Sequence, residues 1–163
     1  MKYPETKLIH ILLKLKFHDD DIGVCDAIET HNSIAREHGT VWIGKIGSPL
    51  STELTKRIAG EIENQLKPKL FLFYGPKDER CYYLADIISI LRQTNAPSKR
   101  FPDYYREFRR DIHQWFEISQ LTLAGRDEIS RLVVASSGKP VLEVAPRCMT
   151  AHLVVTYSSK TSL

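Results

Sequence analysis

The spacing of apolar positions along the chain changes period several times, and each change marks an element. Residues 8–17 form an apolar run interrupted by His10, Lys14 and Lys16. At this length a buried strand and a short helix both remain open. Asp19, Asp20 and Asp21 then offer N-cap side chains and Gly39 a stop. They predict a helix over 22–38 with Ile22, Cys25, Ile28 and Ala35 as its apolar stripe. After Gly39 the period falls to two. Residues 40–46 predict a strand with Val41 and Ile43 on one face and Trp42 and Gly44 on the other. Leu54, Ile58, Ile62 and Leu66 recur every fourth residue and predict a helix over 52–66. Two β-rich runs, 69–74 and 80–91, flank the turn-forming Gly75-Pro76-Lys77-Asp78-Glu79 and predict a hairpin. Beyond a polar, aromatic and basic stretch over 92–110, a strand is expected over 112–121. A short helix is expected over 127–136, with Ile129, Leu132, Val133 and Ser136 on one face and Gly138 as its cap, and a last strand over 152–157. The order β-α-β-α-β-β-loop-β-α-β, with a meander at its centre, predicts a mixed α/β fold of the α+β type. A curved sheet or partly open barrel flanked by helices suits it better than a doubly wound sheet.

Composition narrows the class. The chain has 163 residues, 42% of them apolar and 26% charged, which excludes a disordered or fibrous chain. The length suits one domain over 1–163, with the polar end 158–163 as a tail or the start of a linker. No apolar run approaches the roughly 18 residues of a membrane span, and the N-terminus does not read as a secretory signal. The expectation is a cytoplasmic protein without a membrane partner. Cys25, Cys81 and Cys148 are odd in number and widely spaced, against both a disulfide framework and a zinc site. The net charge of +3 is modest for a nucleic-acid binder, but its distribution is uneven. Lys99, Arg100, Arg106, Arg109 and Arg110 lie within twelve residues, interleaved with Phe101, Tyr104, Tyr105 and Phe108.

Catalytic arrangements are poor. There is no G-x-S-x-G, no H-E-x-x-H and no phosphate-cradling glycine loop. Cys25 falls on an apolar stripe, His31 and His38 lack a third ligand in register, and the three aspartates read as helix caps. Neither a catalytic residue, a metal nor a cofactor is expected. The aromatic residues say more. Trp42 has Gly39 and Gly44 nearby, leaving either a face for a flat ligand or a ring that fills the core. Trp115, next to Phe116 in a strand, reads as packing. Tyr104 and Tyr105 lie beside arginines, where rings can stack on bases and cations can take phosphates. The alternative there is an amphipathic helix that docks Tyr105 and Phe108 onto the sheet.

A resemblance adds to this reading. The run Asp19-Asp20-Asp21-Ile22, a helix ending at Gly39 and then Val41-Trp42 resembles the opening of YTH domains. Pro68-Lys69-Leu70-Phe71-Leu72-Phe73-Tyr74, the turn, and Tyr83-Leu84-Ala85-Asp86-Ile87-Ile88-Ser89 resemble the central hairpin of that family. Trp115-Phe116-Glu117-Ile118 with Leu121 and Ile129, and Gly138-Lys139-Pro140-Val141, are similar to its later segments. The order spans roughly residues 10–156. It also fits the wider PUA-like group, including EVE domains and the specificity domains of modification-dependent restriction systems. The resemblance implies a partly open β-barrel whose aromatic pocket accepts a flipped, often methylated base. By position Trp42 corresponds to the first cage tryptophan, followed by Ile43 and Gly44. The second aromatic would come from Phe101, Tyr104 or Tyr105, since no tryptophan occurs in that loop. Lys99, Arg100, Arg106, Arg109 and Arg110 would hold phosphates. The bases the resemblance implies are N6-methyladenine, 5-methylcytosine, another base or an unmodified one. The expected partner is modified DNA or RNA, with a motor or nuclease as a fused or associated protein. A non-enzymatic protein-interaction or small-ligand sensor of a larger defence-type assembly is the rival reading.

Overall fold

The computed structural model of the chain describes residues 7–15, 24–74 and 81–158, less the side chains of 24–26 and 107–110. The aspartate caps, the side chain of Cys25, the hairpin turn at 75–79 and most of the tail lie outside these residues. The ambiguous first run is a strand, β1 (His10–Lys14). It is followed by α1 (Val24–His38), β2 (Val41–Ile46), α2 (Thr52–Glu63), β3 (Lys69–Tyr74) and β4 (Cys81–Leu91). A 3-10 helix (Asp103–Asp111) leads into β5 (Ile112–Ile118) and the two-residue β6 (Thr122–Leu123). The chain ends with α3 (Arg126–Ser130), β7 (Leu132–Val134), α4 (Val141–Val144) and β8 (His152–Tyr157).

One eight-stranded sheet runs in the order β2-β5-β4-β3-β1-β8-β7, with β6 paired to β4 outside that path. β1 and β3 are parallel and every other pair is antiparallel. The sheet is not closed into a barrel. β4 bends where it hands its pairing over. Residues 81–86 pair with β3 and 87–91 with β5, with a register shift between Ile87 and Ser89. The core lies in two layers on the two faces of the sheet, since alternate residues of β1 and β3 fall in different layers. One gathers Ile43, Ile58, Leu72, Phe116 and Trp115 under α1 and α2. The other gathers Leu12, Phe71, Leu132, Val141 and Val155 beside α3 and α4.

Three expectations are corrected. α2 ends at Glu63 rather than at 66, because Gln65 takes φ 61° and the Leu66 amide returns to the Glu61 carbonyl at 2.9 Å. This left-handed closure turns Leu66 out, 48% exposed. The helix expected over 127–136 is one turn, α3, followed by strand β7. Leu132 and Val134 are buried around a half-buried Val133, so the working period there is two. Gly138, at φ 72°, turns a tight return rather than capping a helix, with Val134 and Lys139 bonded across it at 2.8 Å. The strand expected over 112–121 stops at Ile118, where Asn32 of α1 grips the backbone. Its amide and carbonyl bond Leu121 O and Leu121 N at 2.9 and 2.7 Å. The buried face of α1 is therefore Ala27, Ile28, His31, Asn32 and Ala35, two of them polar.

Candidate nucleic-acid interface

β2 and β5 build the base of the site. They are antiparallel neighbours, and Gly44 lies directly opposite Trp115. A methyl group on Gly44 would meet Trp115 Cζ3 and Ile112 Cγ2 at 3.0 Å each. Only glycine lets the indole lie this low across the strand pair. The Trp115 Nε1–H donates to the Thr94 carbonyl at 3.4 Å, tying the ring to the segment that leaves β4.

Above the indole the 94–99 loop and the 3-10 helix enclose a cavity of about 430 Å³, within the range of ligand sites. Trp115, Tyr105 and Phe101 form its aromatic side. Phe101 stands 5.6 Å from Trp115 between ring centres and Tyr105 stands 5.5 Å from it, edge-on. Lys99 and Arg106 supply the positive charge of the lining, and the Arg106 guanidinium lies 5.9 Å from the Phe101 ring centre. Arg106 also approaches Asp103 at 3.6 Å, both side chains largely exposed, so the pair holds it weakly.

Tyr105 is held from beneath. His31 donates its Nδ1–H to the Ala27 carbonyl at 2.7 Å, leaving Nε2 to accept the Tyr105 hydroxyl at 2.9 Å. Burial pushes the His31 pKa down to about 4, against the opposing bond to Ala27, so the ring stays neutral and this direction is fixed. Burial likewise raises the Tyr105 hydroxyl well above its ordinary value, with Tyr104 beside it acting in the same sense. With both ring nitrogens occupied by the protein, His31 is a brace rather than a metal ligand.

Four of the residues picked from the sequence, Lys99, Phe101, Tyr105 and Arg106, meet at this cavity. Others do not. Trp42, for which an open ring face and a core-filling ring were both open, is 5% exposed and belongs to the core. Its amide donates to the Arg100 carbonyl at 2.8 Å. Ile43 is fully buried and, by strand alternation, turned to the opposite face from Trp42 and Gly44. Arg100 is committed to Glu117 at 3.2 Å, whose carboxylate also accepts the Thr40 hydroxyl at 2.7 Å. Tyr104 packs on Tyr105, ring centres 4.6 Å apart, and on His31. The side chains of Arg109 and Arg110, and that of Phe108, lie outside the described residues. Trp115, read from the sequence as packing, is buried and is also the cavity's floor. A glycine facing a tryptophan across two strands was the signal for it, visible only once the register is known. The amphipathic helix weighed for 103–110 is present as the 3-10 helix, and Tyr105 is buried on its inner side.

Among the described residues no helix is long and apolar enough to cross a membrane. A family model described as Pua-like matches residues 13–141. No curated protein and no solved structure matches the chain.

Proposed function

The chain belongs to the Pua-like family, and from that premise we propose that it is a nucleic-acid-binding module that takes a flipped base into the cavity above Trp115. Family membership suggests nucleic-acid binding in general, by modules that are typically non-catalytic. The observation that carries the finer reading is the meeting of three aromatic rings with Lys99 and Arg106 around one cavity. A base leaving its stack loses a few kcal/mol, and stacking on an aromatic ring returns roughly 1–3 kcal/mol per base. Phe101, half-buried, is the ring that a base reaches first, with Trp115 and Tyr105 as the rigid wall behind it. Lys99 and Arg106 would take flanking phosphates and give the salt-dependent part of the affinity. A methyl group buried in the cavity contributes about 0.8 kcal/mol, a preference of about fourfold over the unmodified base.

A second arrangement of the same function rests on Trp42. Its indole N–H is buried and has no acceptor among the described residues. Such a donor costs roughly 1–3 kcal/mol. A base taken there would give the N–H an acceptor and use the ring as its stacking surface, the place implied by the YTH resemblance. The test is titration of labelled oligonucleotides carrying one N6-methyladenine, one 5-methylcytosine or neither, at two salt concentrations. Binding that weakens with salt and falls in Phe101→Ala and Arg106→Gln supports the reading. Absent binding, or a purified chain that holds only a protein partner, removes it in favour of an interaction module.

A further inference from the structure

The loop over 94–99 that helps enclose the cavity above Trp115 has most of its acceptors occupied by the protein itself. The Thr94 carbonyl accepts the Trp115 indole N–H at 3.4 Å, and the Asn95 carbonyl accepts the Gln93 side-chain amide at 2.7 Å. The Lys99 carbonyl accepts the Phe101 N–H at 2.9 Å. The Thr94 hydroxyl pairs with His113 Nδ1 at 3.3 Å, and the Tyr105 hydroxyl is bonded to His31 at 2.9 Å. Among the described residues no carboxylate lines the cavity, while Lys99 and Arg106 of its lining are donors only. Asn95 is exposed and offers a side-chain oxygen as readily as an N–H, so it selects neither.

Ser98 has a single sense. It belongs to the cavity lining and is half-buried. Its Oγ accepts the Arg100 backbone N–H at 3.1 Å and the Arg100 Nε–H at 3.4 Å. Arg100 is itself pinned, because its guanidinium meets Glu117 at 3.2 Å and Glu117 also accepts the Thr40 hydroxyl at 2.7 Å. A hydroxyl has two lone pairs and one proton. With both lone pairs taken by Arg100, the proton is what Ser98 has left to give, and it has no acceptor among the described residues.

Taking the base-reading proposal as given, we infer that Ser98 is the specificity-determining residue of this cavity, and that the base admitted is an oxo base: uracil, thymine or a 6-oxopurine, in preference to cytosine, adenine or N6-methyladenine. A ring carbonyl has two lone pairs and takes the Ser98 O–H together with a second donor from Lys99 or Arg106. A ring nitrogen has one in-plane lone pair and serves only one of them. An exocyclic amine sets a donor against a donor, and a donor left unmatched in a cavity is the basis of rejection.

The test uses labelled abasic oligonucleotides carrying one test base, titrated with the full-length chain at fixed salt and read by fluorescence anisotropy. The bases come in pairs that exchange a carbonyl for an amine, uracil against cytosine and hypoxanthine against adenine. The oxo member of each pair is expected to bind about tenfold tighter, the scale of one unmatched hydrogen bond. In Ser98→Ala the members of a pair should bind alike, and Ser98→Thr, which keeps the hydroxyl, should restore the preference. The ratio within a pair is the readout, because a loop merely loosened by the substitution weakens both members together. Equal binding within both pairs by the native chain, or a preference that survives Ser98→Ala, overturns the assignment. The base-reading proposal still stands in that case if binding is lost in Phe101→Ala. Binding no tighter than to the wholly abasic strand, whatever the base, removes both.

Discussion

Trp42 and Trp115 stand on the same face of adjacent strands, two register positions apart. Each is almost wholly buried, yet their surroundings differ. Trp42 lies opposite Glu117, whose carboxylate draws in Arg100 and Thr40, and its backbone N–H bonds the Arg100 carbonyl. Trp115 lies opposite Gly44, sinks toward the strand pair, bonds its N–H to Thr94 and leaves a cavity above. The indole with a satisfied N–H borders open space, while the indole with an orphaned N–H is sealed. Ring burial alone therefore does not separate a sealed ring from one that borders a cavity. The cross-strand partner does.

The largest effects come from deleting either ring. Trp42→Ala and Trp115→Ala should each cost about 3–5 kcal/mol of stability by urea denaturation, because both fill the same core layer. A loss below about 1 kcal/mol at either position would break the equivalence. Next is the brace under Tyr105. Unfolded, His31 titrates near 6.5; folded, near 4. Between those values the unfolded chain takes the proton first, so stability falls as pH drops from 6.5 toward 4 and is flat above 6.5. The His31 shift corresponds to about 3 kcal/mol, and His10, lowered by burial to about 4 as well, adds to the same effect, a lower urea midpoint at pH 5 than at pH 7. Gly44→Ala is smaller, about 1–3 kcal/mol, since its methyl must push Trp115 and Ile112 aside. It should also weaken oligonucleotide binding, while Gly60→Ala, where a methyl meets nothing within 4 Å, should leave binding unchanged. The smallest effect on stability belongs to the charges. Lys99→Gln/Arg106→Gln should stay within about 0.5 kcal/mol of the native chain. It should nevertheless flatten the salt dependence of binding by nearly two in log–log slope.

Much of this was legible in the residues. The hairpin of β3 and β4, the strand β2 after Gly39 and the final strand β8 follow from alternation bounded by turn formers. The aromatic and basic character of the stretch after β4 pointed to Lys99, Phe101, Tyr105 and Arg106. What was not legible depends on long-range contacts. Leu132 and Val133 fit a helical stripe until β8 pairs with them. Helix α1 hides His31 and Asn32 inside because their partners, Tyr105 and Leu121, lie 74 and 89 residues away. Trp42 kept two readings open because the burial of its ring depends on tertiary packing, and Arg100 looked free because its partner is Glu117. The pairing of Gly44 with Trp115 is a fact of register, which no local pattern encodes.

The central claim is that a base is received above Trp115. With two tryptophans in the chain, Trp42→Phe leaves Trp115 as the sole indole emitter and Trp115→Phe leaves Trp42. Titration of both variants with a short oligonucleotide, followed by tryptophan fluorescence, reads the site directly. Saturable quenching in Trp42→Phe, lost when Phe101→Ala is added, is the predicted result. Quenching confined to Trp115→Phe, or binding without quenching in either variant, would contradict it.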